Sequence, residues 1–328
     1  MVKQIFSCSS QLSRFINFIK DDKKRKTKFF LTVFFFLLIP TGNAYVYLKI
    51  PPGKPVVRQS EVALPDTALY PLNLTGQPVP FLTARAVLVI DAPSKAVIYQ
   101  KNEDYQLPPA STTKIMTALV ALDHWRLDDV LEVKTVYNIG QTMELEQGEK
   151  ITVENLLYGL LVQSGNDAAY TLANNYPGGL TGFVEEMNNK ARELYLSETF
   201  FTNPIGIDNG NHLTTVHDLA LLASQAMENK VFAQIVATAE ITVVDASGQI
   251  NHQLENINQL VGEVEGLKGV KTGWTSNAGE CLVTYIEREK GRIITVILGS
   301  QDRFGETRQL IDWVYSNFDW QAIESNQQ

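Results

Sequence analysis

An α+β fold is predicted by the order in which two kinds of pattern follow one another along the 328 residues. Apolar, β-branched runs occur near residue 90 and again beyond residue 280, and the long stretch between them favours helix. One sheet completed by the two ends of the domain, with a helical lobe inserted between them, accounts for both observations. The composition, 45% hydrophobic and 20% charged, is that of a globular chain. It argues against wholesale disorder, a collagen-like repeat or a polytopic membrane protein.

Before the domain comes a segmented N-terminus. Residues 1–28 form a basic leader with eight Lys or Arg and two Asp, which leaves 20 basic and 34 acidic residues for the other 300, a net charge of −14. A body so acidic lacks the basic face that nucleic acid requires, so no nucleic-acid partner is expected. The leader runs into Phe29–Ile39, F-F-L-T-V-F-F-F-L-L-I, which has no charge and no amphipathic period. Residues 29–48 therefore read as a membrane-targeting segment, with positive charge keeping its front end cytoplasmic and the rest of the chain outside. Two outcomes fit. The 20 residues from Phe29 to Leu48 reach the length of a transmembrane anchor, whereas Pro40 followed by the small residues Gly42-Asn43-Ala44 would suit a signal peptide cleaved after Ala44. Residues 49–83 hold seven of the 13 prolines and read as an extended extracytoplasmic spacer.

The folded domain is expected over residues 84–318, with a short tail at 319–328. Ala86–Asp91 and Lys95–Tyr99 flank an Ala-Pro-Ser turn and read as a hairpin. Thr113–Trp125, Val153–Val162, Asp167–Asn174, Thr181–Leu194 and Thr214–Met227 favour helix. Strand character returns at Glu240–Val244, Cys281–Ile286 and Arg292–Leu298, and an amphipathic helix over Glu306–Tyr315 closes the domain.

Three short motifs carry chemistry. Ser111-Thr112-Thr113-Lys114 places a serine at the mouth of a helix and a lysine three residues on, along the same helical face. A serine hydroxyl needs a base to become nucleophilic, and Lys114 can serve only if burial and a neighbouring cation bring its pKa from about 10.4 to roughly 7 or 8. Ser164-Gly165-Asn166 lies on a connection between two helices and offers a second hydroxyl and a carboxamide. Lys271-Thr272-Gly273-Trp274 precedes the strand at Cys281; it offers a cation near Lys114, a hydroxyl for a carboxylate, and a glycine that admits a ligand close to the backbone. Each has a plain alternative, since Ser111 alone could be a helix cap and Gly165-Asn166 a simple turn. Gly266–Thr272 fails as a phosphate loop because Val270, not glycine, precedes Lys271, and no G-x-S-x-G elbow occurs. His124, His212, His217 and His252 follow no metal-binding pattern, and Cys8 and Cys281 imply no disulfide framework; no metal and no organic cofactor is expected.

In this order, with separations of 53 and 107 residues, the motifs match the set Ser-x-x-Lys, Ser-x-Asn and Lys-Thr-Gly. The domain resembles the serine-type D-Ala-D-Ala carboxypeptidases, the low-molecular-mass penicillin-binding proteins. The likeness extends to P-A-S-T-T-K-I-M-T-A from Pro109, G-L-L-V-Q-S-G-N-D-A-A from Gly159, F-x-N-P-x-G from Phe201, T-T-x-x-D-L-A from Thr214 and G-V-K-T-G-W-T from Gly269. The resemblance implies a β-lactamase/transpeptidase-like fold, an antiparallel sheet flanked by helices with an inserted all-helical lobe. It implies Ser111 as the acylated nucleophile, Lys114 as its proton acceptor, and Ser164 as a proton shuttle. Asn166, Lys271, Thr272, Gly273 and Trp274 would bind substrate, with the backbone N–H groups of Ser111 and Trp274 as oxyanion hole. Implied partners are peptidoglycan stem peptides and, as covalent inhibitors, β-lactams. D,D-transpeptidase, D,D-endopeptidase and β-lactamase activities, or a silent membrane-tethered sensor, remain alternatives. The β-lactamases that share these motifs use a Glu-x-x-Leu-Asn loop; the one Leu-Asn pair here, Leu72-Asn73, has Leu69 at the glutamate position. The chain stops soon after the closing helix, so anchoring is expected from the N-terminal side.

Overall fold

A computed structural model describes residues 28–34 and 69–322. The leader, most of the targeting segment with Ala44, the front of the spacer and the last residues of the tail lie outside these residues. The chain divides into two units, 1–64 and 65–328. In the first, residues 28–34 are helical with exposed side chains. Among the described residues, no helix is long and apolar enough to cross a membrane.

The second unit is built on a five-stranded antiparallel sheet. Strands β2 (Ala86–Asp91) and β3 (Val97–Lys101) form the expected hairpin, and β8 (Leu267–Thr275), β9 (Gly279–Arg288) and β10 (Gly291–Ser300) join it in the order β3-β2-β10-β9-β8. The chain's two ends therefore meet at the β2–β10 pair. Alternation along the central strands explains why they read as continuous apolar runs. Ala86, Leu88 and Ile90 of β2 and Ile294, Val296 and Leu298 of β10 enter one core, and Val87, Val89, Ile293 and Ile297 enter the other. Thr284 and Thr295, buried and opposite one another on β9 and β10, satisfy each other's hydroxyls at 2.6 Å.

The larger core lies between the sheet and the helical lobe. Helix α1 (Lys114–His124) runs through it with every residue from Lys114 to Ala121 buried, the pattern of a helix wrapped by others on all sides. Around it stand α2 (Val153–Leu161), α3 (Asn166–Asn175) and α4 (Gly179–Glu193), while α5 (Val216–Glu228) packs on β2 and β10, and α6 (Lys230–Val236) on β8. Thr152, Thr215 and Asn229 cap α2, α5 and α6 by accepting from Asn155, Asp218 and Val231 N–H groups, which explains where those helices start. Two small ribbons, β4 (Val130–Glu132) with β5 (Lys150–Thr152) and β6 (Glu240–Val244) with β7 (Asn251–Glu255), rim the lobe. On the other sheet face, α7 (Arg303–Asn317) covers the smaller core with Leu310, Ile311 and Val314.

Two boundaries differ from expectation. Regular structure reaches past the expected 84–318 limits on both sides, because β1 (Leu69–Asn73), an extended segment within the expected spacer, pairs with β11 (Phe318–Ala322). Pro71 is tolerated because β1 has a partner on one side only, and it faces Trp320, which stacks on Tyr315 and donates from Nε1 to buried Asp91 at 2.7 Å. The Lys-Thr-Gly segment does not merely precede a strand but lies within β8, whose outer edge is unpaired by the sheet.

One buried carboxylate joins the entry to β2, the exit of β10 and α7. Glu306 accepts from Thr83 N at 2.6 Å, Ser300 Oγ at 2.8 Å and Ala84 N at 3.2 Å. Glu306→Ala strands these donors in a dry site, and urea denaturation should show a loss of about 3 kcal/mol, the cost of leaving buried polar groups unsatisfied.

Candidate active site

Ser111 lies not in an α-helix but in a 3₁₀ turn, Ala110–Thr113, that delivers the chain into α1. Ala110 holds a left-handed φ of 49°, a conformation unusual for alanine and typical of tightly constrained functional turns. The turn is clamped from two directions. A Cβ at Gly206 would stand 1.8 Å from the Ala110 carbonyl, and a Cβ at Gly273 of β8 would stand 2.8 Å from the Ser111 nitrogen. Glycine at both places is therefore the condition for seating the serine beside the strand, and it sets the Ser111 amide against the Gly273–Trp274 end of β8.

Lys114 has no exposed surface. Its Nζ donates to Ser111 Oγ at 2.9 Å, to Asn166 Oδ1 at 2.6 Å and to the Ile205 carbonyl at 3.4 Å. Burial brings its pKa down to about 7, against the opposing pull of Asp167. The free amine is the form present above that value, so at neutral pH a substantial fraction can accept a proton from the hydroxyl it touches. Burial, one of the two expected causes, leads. Burial, then the neighbouring Lys114 and Arg303, push the Lys271 ammonium well below the usual lysine range. Lys271 Nζ donates to the Thr272 carbonyl at 3.1 Å.

Asn166 is more committed than expected. Besides accepting from Lys114, it donates from Nδ2 to the Ile139 carbonyl at 2.6 Å, so its carboxamide positions the lysine as well as bordering the cleft. Ser164, with φ of 61°, is 1% exposed, and its Oγ has no partner among the described residues. Thr272 Oγ1 and Arg303 Nε share that condition. All three residues, with Ser111 and Gly273, line one cleft of about 550 Å³, and Trp274 forms its rim with 63% of its surface exposed. Unpartnered buried polar atoms gathered on one cleft are what a polar ligand would satisfy.

The structure thus brings together every residue singled out from the sequence. It adds three participants that the motifs did not reveal. Arg303, the first residue of α7, enters the cleft and donates to the Gly273 carbonyl at 3.0 Å. The Ile205 carbonyl backs both Ser111 and Lys114, and Asn203 holds its loop by accepting from the N–H groups of Ile205, Gly206 and Ile207. Asp167, next to Asn166, accepts from Met143 N at 3.0 Å and Leu145 N at 3.1 Å.

A serine bonded to a dry lysine, beside an edge strand carrying Lys-Thr-Gly and beneath a helical lobe, is the architecture of the penicillin-binding active-serine proteins. Within that class the chain belongs to the peptidase S11 family, D-alanyl-D-alanine carboxypeptidase, which it matches over residues 74–302. It is 31% identical over 255 residues to the D-alanyl-D-alanine carboxypeptidase DacF of Bacillus subtilis, covering 75% of this chain and 65% of that protein. The chain therefore spans just under two thirds of that relative. A D-alanyl-D-alanine endopeptidase of Pseudomonas aeruginosa is 32% identical over 241 residues, 71% of this chain and 77% of that one. The crystal structure of a Streptomyces DD-transpeptidase superposes with a TM-score of 0.68 at 32% identity, over 73% of this chain and 100% of that one.

Gly273→Ala places a methyl group 2.9 Å from Ala110 Cβ and 3.1 Å from the Pro109 carbonyl, as well as against the Ser111 amide. The serine turn must shift. Covalent labelling by a fluorescent penicillin should slow on the order of 100-fold, the penalty of a small misplacement of reacting groups.

Proposed function

We propose that this protein is a serine-type D-Ala-D-Ala carboxypeptidase that removes the terminal D-Ala from peptidoglycan stem peptides. The observation that carries the reading is the 2.9 Å contact between Ser111 Oγ and a fully buried lysine whose pKa is about 7. In the acylation step Ser111 Oγ bonds to the carbonyl carbon of the penultimate D-Ala, and its proton passes to Lys114 Nζ. The oxyanion forms against the N–H groups of Ser111 and Trp274. The C–N bond then breaks, and the departing D-Ala amine receives the proton through Ser164. Water then attacks the ester carbonyl as Lys114 takes its proton; the bond from the carbonyl carbon to Ser111 Oγ breaks, the proton passes from Lys114 to Oγ, and the shortened peptide leaves with a new carboxyl group.

Recognition follows from the charges. A C-terminal carboxylate fits the Thr272 hydroxyl and the Arg303 guanidinium, and its negative charge would favour the protonated form of nearby Lys271. The substrate backbone would lie along the free edge of β8. A β-lactam offers the same carbonyl and carboxylate and would acylate Ser111, but its leaving group stays attached and obstructs water. The absence of a Glu-x-x-Leu-Asn sequence weighs against β-lactamase turnover. The likeness to a DD-transpeptidase supports a second reading with the same acyl-enzyme, in which an amine rather than water is the acceptor. A silent sensor would have no need of two buried lysines.

Two experiments test these readings. Incubation with a stem peptide should release free D-Ala, and Ser111→Ala should abolish both that release and labelling by fluorescent penicillin while leaving the circular dichroism spectrum unchanged; undiminished labelling refutes the assignment. For residues 29–48, the +6 leader and the uncharged apolar run support delivery of the domain to the outer side of a bacterial cytoplasmic membrane. Protease added to intact cells should reach the 51–80 region, and mass analysis should show whether residues 1–44 persist; a protected cytoplasmic domain overturns the proposal.

A further inference from the structure

Away from the cleft, His252 of β7 is buried between two acceptors. Its Nδ1 lies 2.8 Å from the Met143 carbonyl and its Nε2 lies 2.7 Å from Glu149 Oε1, with side-chain exposures of 2% for the histidine and 0% for the glutamate. A carbonyl oxygen can only accept, so Nδ1 carries a hydrogen. A carboxylate also can only accept, so the pair as a whole holds one proton more than a neutral imidazole, shared between Nε2 and Glu149. Removing either side chain leaves the other's polar atoms buried without a partner.

Met143 and Glu149 belong to the segment 139–149, and its opposite side rests on the residues around Lys114. The Ile139 carbonyl accepts from Asn166 Nδ2 at 2.6 Å, the Gln141 carbonyl accepts from Asn166 N at 2.7 Å, and Met143 N and Leu145 N donate to Asp167. Met143 also packs so closely on α2 that a Cβ at Gly159 would stand 2.1 Å from its sulfur. Asn166 in turn receives Lys114 Nζ at 2.6 Å. From the outside, Glu146, Lys150 and Asp245 surround Glu149 in a surface hollow, while Asp167 of α3 and Lys271 of β8 are the charged groups coupled to Lys114.

We propose that the His252–Glu149 pair is a positioning clamp, holding segment 139–149 down on Asn166 and Asp167 so that Lys114 stays dry and within reach of Ser111. The clamp touches neither substrate nor reacting atoms. This inference rests on the carboxypeptidase reading through Lys114 as proton acceptor. Opening the clamp would admit water to Lys114, reverse the burial that lowers its pKa, and move it up from about 7. Acylation requires the free amine, so its acidic limb would move to higher pH, with a tenfold loss at neutral pH for each unit.

The test is the rate of acylation by a fluorescent penicillin, measured from pH 5 to 10 on the whole protein and on Glu149→Asp, His252→Phe and Glu149→Gln. The aspartate variant withdraws the carboxylate by one methylene, and the phenylalanine variant fills the space without either bond. The glutamine variant keeps both contacts with a neutral imidazole, because its carboxamide can donate to Nε2 while accepting from Glu146 N, as Glu149 Oε2 does at 2.9 Å. The aspartate and phenylalanine variants should show the acidic limb raised by one unit or more, with labelling at pH 7 slowed at least tenfold, while the glutamine variant follows the unaltered protein. Folded aspartate or phenylalanine variants with an unshifted limb overturn the clamp, as does a glutamine variant that shifts as far as they do. If the unaltered protein itself is not labelled at Ser111, the functional reading fails instead.

Discussion

Lys114 is an ammonium-bearing side chain with no exposed surface, and keeping it so is the constraint around which the molecule is arranged. A charge taken out of water is costly unless it is paired, and the structure resolves that cost by letting the lysine give up its proton near neutrality. The arrangement needs a helix buried on every side, which α1 supplies, and acceptors that do not bring full negative charge against the amine. Ser111, Asn166 and the Ile205 carbonyl are neutral, and the one nearby carboxylate, Asp167, is turned toward backbone N–H groups of residues 143 and 145. Had that carboxylate contacted the lysine directly, it would have held the proton in place and removed the base.

The second requirement is that so dry a group still face a ligand. β8 meets it as an edge strand, since its outer side leaves backbone free beside the serine, and Gly273 allows the turn to approach. The same edge places Thr272 and Gly273 on the cleft's wall with Lys271 buried beside them, and Arg303 reaches it from the first turn of α7 on the sheet's other face. The inter-layer position of the site is thus a product of topology: the helical side supplies Ser111, Ser164 and the base Lys114, the sheet supplies Thr272 and Lys271, and α7 supplies Arg303.

Much of this was legible in the chain. The helices from α1 to α5 and α7 were predicted within a few residues because their apolar spacing is regular, and the β2–β3 hairpin because its strands flank a turn. β8 was not, since Leu267–Thr275 contains two glycines and two lysines and lacks the alternation that marks a strand; its stability comes from β9 and from the helices packed on it. β1 was hidden by prolines, and its partner lies some 250 residues away, beyond any local pattern. Among site residues, the three motifs pointed to the right place, whereas Asp167 entered only as the first residue of a predicted helix and Arg303 lay before the expected start of its helix. Of the two causes expected for a lowered Lys114 pKa, burial leads, and the degree of enclosure that makes it lead is a property of the packing that the sequence does not show.

The meeting of the chain's two ends at β2 and β10 has a consequence for how the protein comes into being. β2 and β3 emerge early during synthesis, yet the strand that covers the inner edge of β2 lies about 200 residues later. Until that strand arrives, an apolar ribbon with both faces meant for burial has an open edge, the kind of surface that pairs with the wrong neighbour. The helical lobe, made of nearby contacts, can form first, but the sheet must wait for the closing of a very long loop, and such non-local pairing is slow. Any wrong pairing of that open edge therefore competes against a folding step that cannot begin until the residues of β10, through Ser300, have been made.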